Sequence, residues 1–333
     1  HKDMETPFFG HRIALGNAVI GAWFKAYNET ELCKVERGKL ISTNWWEKSP
    51  HLLHFSKGSQ KIIRKTNEIY HFLVPDKNML GALKISEEKA AHPNEALRMS
   101  KRLKEWTAPI TKENIKLLKV LSKKIDELIS SCIAYQKKVD LMTQNNFAVW
   151  GHSIHQSFTF PGFDDKQAFT DSRSQKGNDF FKLRTIMDYW CSLWFWEYDD
   201  AALLPTREDY WLDIAQILGV DIWNISTSNE DQPSLFETTA EDELPDTDES
   251  IAIEVISQND AEAELRKIKT NSTLFESGPR IPIVQRLAKR YNFFHPMLEF
   301  VEVFWLRDGF DIICGNPPWI MLGFDESSII SEV

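Results

Sequence analysis

From Thr111 to Met142 apolar side chains recur at alternating steps of three and four: Leu118, Leu121, Ile125, Leu128, Cys132, Tyr135, Val139 and Met142. That spacing is a heptad seam on a long α-helix, with lysines and glutamates on the remaining faces. Thr111 suits the N-cap, and Glu113 in the first turn suits the helix dipole. A capping box calls for Glu or Gln at position 114, where Asn114 stands, so only the single cap is expected. An amphipathic stretch over 94–106 precedes the helix, across a Thr-Ala-Pro-Ile break at 107–110. The expected use of the seam is an antiparallel hairpin with that stretch, as a projecting or domain-bridging element. A coiled-coil dimer is the alternative.

Other segments have less regular patterns. Residues 11–24 read as a short apolar strand, a Gly16-Asn17 turn and a second apolar stretch. Residues 69–75, aromatic and β-branched and ending at Pro75, read as a strand. Trp45-Trp46 read as core residues, with stacking on a base the minor alternative. Residues 145–178 read as loop-rich, and 180–198 as a helix buried nearly all round. Thr206 caps a further helix, and 259–270 and 281–291 also look helical. Residues 229–250 hold nine acids and no basic residue, the composition of a mobile acidic linker.

With 333 residues, 42% of them hydrophobic and 26% charged, the chain is long enough for two domains and falls among globular proteins. No apolar run approaches the roughly 18–20 residues of a membrane span, and no secretory leader is evident. A cytoplasmic location is expected. Cys33, Cys132, Cys191 and Cys314 lie far apart and read as scattered free thiols. The net charge of −10 is unevenly spread: residues 1–140 carry 25 Lys/Arg against 16 Asp/Glu, residues 141–333 14 against 33. A basic front half suits either phosphate contact or the solvated faces of lysine-rich helices. The chain does not open on Met and stops soon after its strongest motif, so a piece of a longer polypeptide is expected.

That motif is FDIICGNPPWI, residues 310–320. Residues 310–314 have the pattern of a buried parallel strand, and Gly315-Asn316-Pro317-Pro318-Trp319 follows at its carboxyl end, where open α/β sheets bind ligands. Gly315 permits close backbone approach, and the two prolines fix φ and remove two donors. Two acceptors, the Asn316 side-chain oxygen and the Pro317 carbonyl, would draw the lone pair of an exocyclic amine out of ring conjugation as it attacks a methyl group. Trp319 would stack on a base flipped out of the duplex.

The segment resembles motif IV of the amino-methylating DNA methyltransferases. The ordered set IALGNAVIGA (13–22), IYHFLVPDKNM (69–79), KEWTAPIT (104–111), the long helix ending near AVWG, DYWCSLWFW (188–196) with LPT, and FHPMLEFVEVF (294–304) is similar to the large type IIG-like restriction–modification methylases. The resemblance implies an N6-adenine methyltransferase using S-adenosylmethionine on double-stranded DNA, with restriction–modification or defence subunits as further partners. It makes Asn316, Pro317 and Trp319 catalytic, Gly315 and Pro318 substrate-binding, and Gly16 and Asn17 a motif III-like contact to the cofactor. The implied fold is α/β and helix-dominated, a partial Rossmann-like methyltransferase sheet with a large, mainly helical insertion. Residues 1–24 and 301–333 would belong to the methyltransferase core and 25–300 to the insertion.

Departures are equally clear. The glycine-rich loop that cradles the methionine moiety is absent, as are the later catalytic strands and the target-recognition domain, so this segment is expected to be inactive alone. Pro245-Asp246 with Glu254 lacks the lysine of a nuclease site. Asp164-Asp165 and Asp199-Asp200 read as solvated surface loops. His51 with His54, and His152 with His155, lack a third ligand, so no metal site is expected. Two rival readings are a methyltransferase acting on protein glutamine or RNA guanine, and a non-catalytic DNA-positioning or interaction module.

Overall fold

The computed structural model describes residues 9–56, 61–143, 162–220 and 278–315. The described chain opens with a 3-10 turn at Gly10–Arg12, then β1 (Lys25–Asn28), α1 (Glu29–Leu32), β2 (Lys34–Glu36), β3 (Lys39–Ile41), β4 (His51–Leu52), β5 (His54–Phe55), β6 (Ile62–Ile63) and β7 (Glu68–Tyr70). Helices follow: α2 (Ser86–Ala91), α3 (Pro93–Trp106), α4 (Lys112–Met142), α5 (Phe163–Ser172), α6 (Asp179–Ser192), α7 (Arg207–Leu218), α8 (Ile281–Tyr291), α9 (Pro296–Glu299) and α10 (Val301–Arg307). The strands form three small antiparallel sheets, ordered β4-β1-β7, β2-β3 and β5-β6.

The heptad segment is helical over the expected range, and Thr111 caps it. Asn114 does complete a capping box: its Oδ1 accepts from the Thr111 backbone N–H at 3.2 Å, and its own N–H donates to Thr111 Oγ1. The shorter amide serves where Glu or Gln is usual. The projecting hairpin, by contrast, is not formed. α4 is the spine of the molecule, packed by α5, α6, α7, α10, β6 and β7, while α3 lies on the 3-10 turns Gly81–Lys84 and Tyr198–Leu203. The reason is a second buried row beside the seam: Ile115, Ser122, Ile129, Ile133 and Gln136. Two rows cover too much of the helix for one partner. Arg64 and Tyr70 fasten the strands to this spine, donating to Asp126 at 2.6 and 2.7 Å.

α6 has no exposed residue, as its continuous apolar sequence requires. It is capped by Asn178, whose Oδ1 accepts from the Phe180 N–H at 2.9 Å. It stops at Ser192, short of the expected 198. α7 begins behind Thr206, whose Oγ1 accepts from the Asp209 N–H at 2.9 Å.

Residues 69–75 are a strand only as far as Tyr70; His71–Leu73 turn into a 3-10 helix, buried throughout. Leaving the ladder strands the carbonyls that follow, and aromatic side chains take them in succession. Tyr210 Oη donates to Phe72 O at 2.6 Å, Trp211 Nε1 to Leu73 O at 2.8 Å, Trp190 Nε1 to Val74 O at 3.1 Å and Trp45 Nε1 to Pro75 O at 3.1 Å. Buried carbonyls need donors, and here the indole and phenol groups supply both the donor and the packing volume. Trp45-Trp46 is thus a core pair: Trp45 is buried and in edge contact with Trp46.

Several expectations need correction. Within 145–178 the described part is a helix, α5, with Asp164 and Asp165 in its first turn rather than on a loop. Asp199 and Asp200 lie in a 3-10 helix, and Asp200 pairs with Arg286. The molecule is helix-rich with small antiparallel sheets, and no Rossmann-like parallel sheet is present among the described residues. Residues 310–314 are not a buried strand: they pair with no strand among the described residues, and Ile312 and Ile313 are 79% and 84% exposed. A lone β-branched segment has no ladder to join, so its backbone and side chains stay in water. The readings for 229–250, 259–270, Pro245-Asp246 with Glu254, and His152 with His155 lie outside the described residues. No described helix is long and apolar enough to cross a membrane. Cys132 and Cys191 are buried free thiols, Cys33 is half-buried and Cys314 exposed.

Tyr210→Phe should leave the Phe72 carbonyl unpaired in the core and cost about 1–3 kcal/mol of unfolding free energy. Urea titration of the two proteins measures it; a difference near zero would mean that water reaches that carbonyl.

Candidate functional site

The segment that carries Gly16 and Asn17 meets residues 292–295 at one seam. The Asn17 N–H donates to Asn292 O at 2.7 Å and the Phe294 N–H to Ile20 O at 2.8 Å, around a parallel bridge between Asn17 and Phe293. A third bond closes the seam: the Ala22 N–H donates to His295 Nδ1 at 2.9 Å. Since Nδ1 accepts, the ring proton sits on Nε2, which donates to Asp188 on α6 at 3.0 Å. His295 is fully buried with both nitrogens engaged, so it works as a clasp and offers nothing to a substrate.

Charged groups brace the clasp. Glu299 on α9 is buried and bound by Arg173 at 2.9 Å and Arg184 at 3.3 Å, and Arg184 lies 3.9 Å from Asp188. Nearby, Arg12 approaches Asp140 at 3.3 Å and Glu302 at 3.7 Å. Among the described residues neither carboxylate oxygen of Glu302 has a hydrogen-bond partner, and burial pushes its pKa up, with the Asp140 charge adding to the effect.

Phe294 packs closely against Gly16 and Gly21. A Cβ added to Gly16 would stand 2.6 Å from the Phe294 Cβ, and one added to Gly21 only 1.6 Å from the Phe294 carbonyl oxygen. Both glycines are therefore required by close approach. From Phe294 a run of edge contacts leads through Phe300 (6.0 Å) to Phe310 (5.6 Å), and Phe310 also meets Phe304 at 5.8 Å. Phe310 is thus tied through Phe300 to the ring that packs on Gly16 and Gly21, while Ile13, Leu15, Val19, Ile312 and Ile313 are exposed.

Of the residues singled out in the sequence, Asn17 opens a turn closed by the Ile20 N–H donating to Asn17 O at 3.0 Å, so Ala18 and Val19 sit at its centre instead of the expected Gly16 and Asn17. The Asn17 Oδ1 accepts from the Val19 N–H at 3.1 Å. The Asn17 side chain and Gly16 are both exposed, with Phe294 standing where a Gly16 Cβ would be. Gly315 is exposed with open space around it. Asn316, Pro317, Pro318 and Trp319 lie outside the described residues. His295, Asp188 and Phe294 were missed by sequence reasoning; a histidine before a proline in an apolar run was the available signal.

The described histidine pair at 51 and 54 divides between separate partners, His51 near Glu68 at 3.4 Å and His54 on Asp308 at 2.8 Å. Among the described residues no group of three or more His, Cys, Asp or Glu is arranged to hold a metal. No known family's profile, no curated protein and no solved structure matches the chain.

Two outcomes test this geometry. Gly21→Ala should cost about 3 kcal/mol or more, because backbone must move, while Gly315→Ala should stay within about 0.5 kcal/mol; thermal melts of the two variants report the contrast. The second concerns His71, which donates from Nδ1 to Lys25 O and whose pKa burial pushes down to about 4 from 6.5. Between those values the unfolded chain binds a proton that the folded protein does not. Its contribution is complete above pH 6.5 and is lost as pH falls to about 4, at most roughly 3 kcal/mol. Stability measured across that window should fall with pH, and less steeply in His71→Asn.

Proposed function

We propose that the chain is part of an S-adenosylmethionine-dependent DNA methyltransferase that modifies adenine N6 in a restriction–modification or phage-defence system. In this reading residues 25–300 are a helical insertion between the Gly16-Asn17 segment and the Asn316–Trp319 tetrad. The observation that carries it is the sequence FDIICGNPPWI itself: an apolar β-branched run followed at once by two acceptors, two rigid prolines and an aromatic ring.

The geometry of the described residues supports it. An insertion between neighbouring strands must return the chain to where it left, and the Asn17–Phe293 pairing and the Phe294–Phe300–Phe310 run do so. Both returning segments expose apolar side chains that a fully covered parallel sheet would bury. The reading assigns them to such a sheet, completed by neighbouring strands.

The chemistry rests on Asn316 and Pro317. Their oxygens accept from the two N6 hydrogens of a flipped adenine and favour the tetrahedral, developing-positive nitrogen as it attacks. Trp319 stacks on the ring. S-adenosylmethionine supplies the electrophilic methyl group. No general base is needed before attack, because the amine is the nucleophile.

The test is the nucleoside content of plasmid DNA treated with the full-length protein. N6-methyladenine is expected with the wild type. Asn316→Ala should lower the rate by about 100–1,000-fold, the usual cost of a lost acceptor or donor at a developing charge. Methylated guanine in RNA or methylated glutamine without modified adenine would contradict the reading, as would an unimpaired variant.

A further inference from the structure

The β2–β3 hairpin has no task in the fold. Every residue from Lys34 to Leu40 is exposed. Such a two-stranded ribbon gains little from burial and is marginal on its own. This one is nevertheless held in a defined shape. Arg37 and Gly38 both take positive φ, 50° and 76°, the pattern of a two-residue turn matched to strand twist. Three residue pairs, Lys34–Ile41, Val35–Leu40 and Glu36–Lys39, set the register. The base is anchored by buried Leu32, whose carbonyl accepts from Thr43 Oγ1 at 3.2 Å, and by the Cys33 N–H donating to Glu29 O at 2.9 Å. Arg37 in a left-handed conformation is costly for a residue with a Cβ, so the tip places a guanidinium at the expense of easier turn residues.

We propose that this hairpin is a DNA-contacting ribbon that enters the major groove with Arg37 at its leading end. Charge points that way. Lys34 is paired with Glu36, which leaves Arg37 and Lys39 with no ion pair or side-chain hydrogen bond among the described residues. Shape fits as well: the major groove, about 12 Å wide, admits a two-stranded ribbon. Val35 and Leu40 pair directly across the strands and are 42% and 37% exposed. The two faces of the ribbon differ: Val35 and Leu40 share one, and Lys34, Glu36 and Lys39 stand on the other, so a ribbon entering tip-first turns its apolar face to thymine methyl groups and brings Arg37 at the tip to the guanine O6 and N7 acceptors that an arginine fork reads. A protein strand adding to the hairpin's edge is the weaker fit, since three-residue strands bearing lysines are how edges repel such pairing.

The proposal rests on the reading that the chain acts on DNA, and binding measurements separate it from methyl transfer. Fluorescence anisotropy of a labelled duplex with the full-length protein, over a range of salt concentrations, is the experiment. Lys39→Ala should reduce the salt slope by about one and Arg37→Ala should weaken binding about tenfold. The double change Val35→Ser with Leu40→Ser should weaken binding with the slope unchanged. All four positions are exposed, so melting temperatures should hold and serve as the folding control. Wild-type affinity in all of these variants would overturn the proposal, as would a wild type that does not bind duplex DNA. Hairpin-dependent binding by a protein that transfers no methyl group would overturn the enzymatic reading and uphold this one.

Discussion

Four successive carbonyls, from Phe72 to Pro75, are buried outside any β-ladder, and each is met by a different aromatic donor. An unpaired carbonyl in such a place costs about 1–3 kcal/mol, so the set is worth as much as the whole margin of a typical domain. The donors come from far apart in the chain: Trp45 from the sheet region, Trp190 from α6, Tyr210 and Trp211 from α7. Satisfying them brings the small sheet and two helices together in one arrangement. α4 then has its surroundings fixed on several sides, which is why it is a spine and not an arm.

Local signals were legible wherever periodicity and capping act within one element. α4, α7 and α8 occupy the expected ranges, and α6 is as buried as its sequence demands. Failure came where a pattern's meaning depends on distant partners. Ser122 and Gln136 hide the second buried row of α4, because polar residues at core positions read as surface. IYHFLVP has the composition of a strand, yet the available aromatic donors let it leave the ladder after Tyr70. FDIIC has the composition of a buried strand too, but strand status belongs to a pair of segments and not to one. The β2–β3 ribbon was missed because its Arg37-Gly38 turn departs from the usual Asn-Gly signal. Of the candidate site, a chain reversal near Gly16-Asn17 was legible, while its centre at Ala18 and Val19 and the reason for Gly16, the Phe294 ring, were not.

The same constraint links fold to function. The core built around residues 72–75 holds α6, and α6 presents Asp188 to His295. His295 in turn holds Ala22, so the segment bearing Gly16 and Asn17 lies against Phe293–His295 and the aromatic run that leads to residue 310. A helical body that returns the chain to its point of departure is the arrangement that the proposed insertion within a catalytic sheet would need. Glu299, held between Arg173 and Arg184, makes that return a charged as well as an apolar junction. Breaking either arginine contact would leave a buried carboxylate under-compensated, a costly state. The junction therefore has few alternative packings.

The central claim is that the helical body closes on itself at the seam of Asn17, Ala22, Phe293 and Phe294. Amide hydrogen exchange with single-residue resolution tests it most directly, because three of those amides donate to buried or bridged partners while the flanking segments are exposed. The account predicts that Asn17, Ala22 and Phe294 exchange far more slowly than Leu15, Ile312 and Ile313. Equal, fast exchange across both groups would contradict it.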